Sequence, residues 1–272
     1  MNTEVGFNEK YTRLSLEYDY LKEESANLVE LYNHLVAVVG PNVETQYMVQ
    51  VGMLEYRVFE LTIELRRWQR RLTLRQAVLN RGEKPDYMAI ERQLDAEFEE
   101  FKRKVAVHHK EIQKAADKWR REKMSDHEMT EIRTQYLAAV KRLHPDINAE
   151  LTEAAKELWE RIQDAYRKKE WNSLKFLVGL VDGMVAGKER FENTPDGMSR
   201  LETGCARLRG VCADVRVQTA AVRAEKPLCY EEFLQNTAEV KARQDVLNEQ
   251  IGDIEGRIAE CEEAWRDECD GE

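Results

Sequence analysis

The feature that most constrains this chain is the spacing of its apolar residues, which return in steps of four and three over long stretches. The first series is Phe7, Tyr11, Leu14, Tyr18, Leu21, Ser25, Leu28, Tyr32, Leu35 and Val39. Steps of this kind put every member on one face of a helix, with Ser25 the one polar interruption. Gly40-Pro41 predicts its end. A second seam runs Tyr47, Val51, Leu54, Val58, Leu61, Leu65, Trp68 and Leu72, with Leu79 near the break at Arg81-Gly82. A third follows Pro85 through Tyr87, Leu94, Phe98, Phe101, Val105, His108, Ile112, Ala115 and Trp119. Long amphipathic helices joined by short breaks predict an antiparallel bundle over residues 1–124.

Two further seams lie near the other end. Met198, Leu201, Cys205, Leu208, Cys212, Val215, Thr219 and Val222 form one. Phe233, Thr237, Val240, Gln244, Leu247, Ile251, Ile254, Ile258, Cys261 and Trp265 form the other. The break at Glu225-Lys226-Pro227 predicts a coiled-coil hairpin over 198–272. Gly183, Gly187, Pro195 and Gly197 predict a linker over 183–197. No segment alternates with the period of a half-buried strand, so the fold expected is all-α. Composition agrees: 35% of residues are charged, with only 13 glycines and 5 prolines among 272.

Residues 125–182 are a different kind of unit. Ser125 is placed to cap a helix, with Glu128 as the acid of a capping box. Ile132, Tyr136, Ala139 and Leu143 sit at helical spacing. Pro145 then forbids continuation and pushes His144 out of the α region. Leu151, Ala155, Leu158, Trp159, Ile162, Ala165 and Tyr166 give a second helix its stripe. Two stripes packed face to face leave His144-Pro145-Asp146 exposed at the turn, where a rigid hairpin presents side chains at little entropic cost.

The stretch YLAAVKRLHPDIN resembles the end of the second helix and the signature loop of J domains, and WERIQDAY resembles the matching part of the third. Ile132, Tyr136, Ala139, Leu143, Trp159, Ile162, Ala165 and Tyr166 take the packing positions. The resemblance implies a co-chaperone, not an enzyme, that stimulates ATP hydrolysis by a DnaK-type chaperone and directs it to a client protein through helical arms. His144, Pro145 and Asp146 would be the trigger, and Arg133, Lys141 and Arg142 a basic face for an acidic partner surface. Asp146 would accept an arginine of that partner. The family's basic pair after the tyrosine is Leu137-Ala138 here, which thins that face. Its first helix has no counterpart just upstream, so the end of the third seam near Trp119 is expected to supply the packing. The alternative is a structural or scaffolding coiled-coil protein whose hairpin only packs.

Other features point to blander roles. The net charge of −10 argues against general nucleic-acid binding. Arg66, Arg67, Arg70, Arg71 and Arg75 form a basic stripe, read as a helix face paired with Asp95, Glu97, Glu99 and Glu100 rather than as a polyanion site. Lys110 to Lys123 is basic too and keeps the polyanion alternative open. His108 and His109 lack the i+4 partner of a metal site, so no metal or other cofactor is expected. Cys205 and Cys212 lie one heptad apart, about 10.5 Å along a helix, too far for a disulfide. With Cys261 they read as core residues, while Cys229 and Cys269 lie near helix ends. Five cysteines without a CxxC pair, no signal peptide in MNTEVGFNEK and no apolar run of about 18 residues imply a reduced cytoplasm and no membrane span. The heptad seams can close within one chain or pair between copies.

Overall fold

The computed structural model of the protein describes residues 2–120, 125–181 and 191–267. Every regular element among them is helical. In chain order they are α1 (Asn2–His34), α2 (Gly40–Tyr47), α3 (Met53–Leu79), α4 (Tyr87–Arg120), α5 (Asp126–Leu143), α6 (Glu153–Arg167), α7 (Trp171–Val181), α8 (Pro195–Ala224), α9 (Glu231–Gln235) and α10 (Thr237–Asp267). Contacts group them into two units, residues 1–42 with 123–229 and residues 43–122 with 230–272. These units cut across the expected division at 124, 182 and 197. Heptad faces accept any complementary partner, so proximity in sequence does not by itself select the pairs.

The expected break at Gly40-Pro41 does not occur. The backbone stays helical through two π-turns, Leu35–Val39 and Met48–Gly52. The Gly40 N–H bonds back five residues to the Leu35 carbonyl. This widened turn accommodates Pro41, which has no N–H of its own to place in an α-helical ladder.

In the first unit α1 pairs with α8 in parallel. Lys10–Glu202 (2.6 Å), Glu17–Arg209 and Glu24–Arg216 bridge them, each rung one heptad beyond the last on both helices. Between the rungs lie Leu14, Tyr18 and Leu21 of α1, with Leu201, Cys205 and Leu208 of α8, all buried. The polar interruption at Ser25 finds its use here, because its hydroxyl lies 3.2 Å from the Cys212 sulfur, both groups buried. A polar pair inside an apolar seam favours one register over its neighbours. The expected hairpin of the two C-terminal seams is therefore replaced, since α8 belongs with α1 and α10 with α3.

The start of α8 also differs from the expected linker. Pro195 is in its first turn and the Thr194 hydroxyl accepts from the Gly197 N–H at 3.1 Å. The earlier part of that linker, like the side chains of His108, His109 and Trp119, the residues 121–124 and Cys269, lies outside the described residues.

In the second unit α3 and α4 form the antiparallel hairpin the sequence suggests. Arg67 bonds Glu91 and Asp95, Arg71 bonds Glu91, and Arg70 is held by Glu97 through two nitrogens. The arginine stripe is thus largely a paired face, although Glu91 rather than Glu99 or Glu100 completes it. Arg75 is buried and turned to α10, where it donates to the carbonyls of Trp265 (2.9 Å) and Ala264 (3.1 Å). A cation at the last carbonyls of a helix satisfies orphan acceptors and opposes the helix dipole. Arg57–Glu255 and Arg243–Glu55 complete a second parallel pairing, α3 with α10. Half-buried Cys261 packs there against Leu61, Leu65 and Ile258.

Candidate functional site: the His-Pro-Asp turn

Helix α5 begins and ends where its sequence says. The Ser125 hydroxyl accepts from the Glu128 N–H, while the Glu128 carboxylate accepts from the Ser125 N–H, a complete capping box. Leu143 is the last helical residue. His144 still donates its N–H to the Val140 carbonyl but has turned extended at φ −68° and ψ 124°. Pro145 enforces that departure.

The turn is closed by short-range hydrogen bonds. The N–H groups of Ile147 and Asn148 donate to the His144 carbonyl at 3.1 and 2.9 Å. The Asn148 amide donates to the carbonyls of Lys141 and His144, capping the end of α5. Ile147 is fully buried and anchors the turn to the core. Neither Ile147 nor Asn148 was singled out from the sequence. An apolar residue and an Asn directly after a helix-stopping proline are the signals that mark them. Pro145 and Asp146 remain exposed.

His144 is fixed on both sides. Its ring packs edge-on against Trp159 at 5.1 Å, and its Nδ1 accepts from the Asp146 N–H at 3.2 Å. That acceptor role leaves the proton of the neutral ring on Nε2. Burial lowers its pKa below the usual 6.5, against a smaller opposing pull from the Asp146 carboxylate.

All eight expected core positions are buried: Ile132, Tyr136, Ala139, Leu143, Trp159, Ile162, Ala165 and Tyr166. Tyr136 stacks on Tyr166 at 3.9 Å and on Trp159 at 5.9 Å. The tyrosine hydroxyls meet α1, with Asn33 donating to Tyr136 at 3.1 Å and His34 Nδ1 lying 3.2 Å from Tyr166. Desolvation raises both phenol pKa values well above 10. Helix α1 therefore packs on α5; the side chains at the end of the third seam near Trp119, expected in that role, lie outside the described residues. The tyrosine-matched polar groups of α1, Asn33 and His34, directly precede the π-turn Leu35–Val39.

The expected basic face is divided. Arg133 makes a two-point bond to Glu30 of α1 (2.8 and 2.9 Å), and Glu30 is only 6% exposed. Lys141 bonds Glu23 of the same helix. Arg142 is exposed. From α8, Arg207 donates to the backbone carbonyls of Asp146 and Ile147. Beside the turn is a cleft of about 370 Å³ walled by α1, α6 and α8, with His144 and Asp146 on its rim.

No family model matches this chain, and no curated protein or solved structure matches it. No described helix is long and apolar enough to cross a membrane. Among the described residues no group of His, Cys, Asp and Glu is arranged to hold a metal ion.

Proposed function

We propose that the chain is a co-chaperone of the J-domain kind, which uses its His-Pro-Asp turn to stimulate a DnaK-type ATPase. The unit of α5, α6 and α7 is the J-like domain in this reading, and the paired long helices are arms that bring a client or a cellular site. The observation that carries it is the turn itself: Pro145 and Asp146 are exposed at the end of a rigid aromatic column while His144 is held in one rotamer by Trp159 and the Asp146 N–H. A recognition element needs that combination of fixed geometry and open access. His144, Pro145 and Asp146 are the trigger, with exposed Arg142 beside them, and a reduced cytoplasm is the compartment.

The test is steady-state ATP turnover by a DnaK-type chaperone with this protein added. Stimulation is expected with the wild type and is expected to vanish with His144→Gln. Equal turnover with and without the wild-type protein would sink the reading.

A second reading is favoured by one observation. Arg133 and Lys141, two of the three bases that would face the partner, are bonded to carboxylates of α1. A scaffold whose hairpin only braces the coiled coil would use them in that way. It predicts that His144→Gln supports cell growth or complex assembly as well as the wild type does.

A further inference from the structure

The two basic stretches of the sequence meet different fates in the fold. In α3, Arg67, Arg70 and Arg71 are paired with Glu91, Asp95 and Glu97 of α4, and Arg75 with the Trp265 and Ala264 carbonyls of α10. Those acids all lie in the first half of α4. From Tyr87 to Glu100 that helix has five acidic residues and one base, whereas from Phe101 to Arg120 it has seven bases and two acids. Its apolar side is occupied, since Ile90, Leu94 and Phe98 pack with Ile63 and Leu74 of α3 and Ile112 is buried. At about 3.6 residues per turn, the opposite side of the second half presents Arg103, Val107, Lys110 and Lys114 in one row. All four are exposed. None of the three cations makes a hydrogen bond or salt bridge among the described residues.

We infer that this outer face of α4 binds the phosphate backbone of a nucleic acid without reading its bases. Arg103 and Lys114 lie about 16.5 Å apart along the helix axis. A duplex carries one phosphate charge per about 1.7 Å of its axis, so a row of cations over that length meets phosphates in any register. The face lacks what other acidic partners require. Insertion into an anionic membrane needs a free apolar side, and that side of α4 is packed on α3. A protein interface depends on aromatic or aliphatic anchors at its centre, and Val107 is the one apolar side chain in the row. Backbone binding by cations needs neither. The net charge of −10 opposes it only weakly, because charges more than about 10 Å apart are screened at about 0.1 M salt. The binding is independent of the co-chaperone reading and uses a helix outside the hairpin that carries the resemblance.

The test is fluorescence anisotropy of labelled duplex DNA and of labelled single-stranded RNA, titrated with the full chain from about 50 to about 200 mM salt. The wild type is expected to bind at least one probe with a Kd in about the micromolar range, weakening steeply as salt rises. Combining Arg103→Gln, Lys110→Gln and Lys114→Gln is expected to weaken binding at least about tenfold. It is also expected to reduce the slope of log affinity against log salt by about 2.7 on the duplex or about 2.1 on the single strand. Lys110→Gln alone is expected to remove about a third of that slope. A control combining Arg13→Gln, Arg161→Gln and Lys241→Gln takes the same charge from exposed, unpaired cations of other helices, and is expected to match the wild type within about twofold. Thermal melting of the variants close to the wild type shows that the loss does not act through the fold. An unchanged salt slope in the α4 variants, or equal weakening in the control, would overturn the inference. So would binding confined to phosphatidylserine vesicles, or no binding of either probe up to about 100 μM.

Discussion

Individual residues here carry roles that their types alone left open. Ser25 looked like a flaw in a heptad seam and is half of a buried pair with Cys212. Arg133 looked like part of a docking face and is bonded by two nitrogens to a buried glutamate. His34 and His144 share a property with a testable consequence. Burial lowers both pKa values below 6.5, with Arg133 adding to the effect at His34. The unfolded chain therefore binds more protons than the folded one at mildly acid pH, so stability falls as pH falls. Their contribution is complete above pH 6.5 and is lost as pH drops through the folded values. The midpoint of urea unfolding is expected to decrease from pH 7.5 to pH 5.5, and less so in a His34→Gln, His144→Gln double variant. An identical decrease in that variant would assign the effect to the carboxylates instead.

At the scale of elements, the caps and turns explain why helices begin and end where they do. Ser125 and Glu128 start α5, Pro145 stops it, and Thr194 with Pro195 starts α8. Two glycines of α8 make contrasting predictions. A methyl group at Gly197 would lie 2.0 Å from the Glu192 carbonyl oxygen, whereas at Gly210 it would meet nothing within 4 Å. Gly197→Ala must therefore displace backbone and is expected to cost more than about 1 kcal/mol, with faster amide exchange in the first turn of α8. Gly210→Ala, in a helix interior, is expected to stabilise by about 0.5–1 kcal/mol. Chemical unfolding of the two variants checks both signs. The long helices themselves were legible because their seams repeat many times. Their continuity across Gly40-Pro41 was not, since a glycine-proline pair ordinarily ends a helix and only the π-turn before it keeps the chain helical.

Across the whole molecule, each unit is assembled from stretches far apart in sequence. The rungs Lys10–Glu202, Glu17–Arg209 and Glu24–Arg216 place one end of the chain against a helix that begins nearly two hundred residues later. Pairings of this kind form late and at high entropic cost, because a long loop must close before they contribute. A fragment of residues 1–124 would keep the α3–α4 hairpin but leave the apolar face of α1 without α5 and α8. Its urea transition, followed by far-ultraviolet circular dichroism, is expected to be broad, and the fragment to self-associate through the uncovered seam. A sharp, concentration-independent transition would mean that the N-terminal helices form a domain of their own.

The sequence by itself determined the helices, the caps of α5, the extended turn at His144 and the core faces on either side of it. These are local properties, set by spacing along one chain and by the geometry of proline and capping side chains. Only the tertiary structure decided which seam meets which. It paired α1 with α8 in parallel and set α1 against α5. It also tied Arg133 and Lys141 to carboxylates of α1. A heptad seam specifies that a partner is needed and not which one, so the choice falls to matched rungs, matched volumes and one buried polar pair.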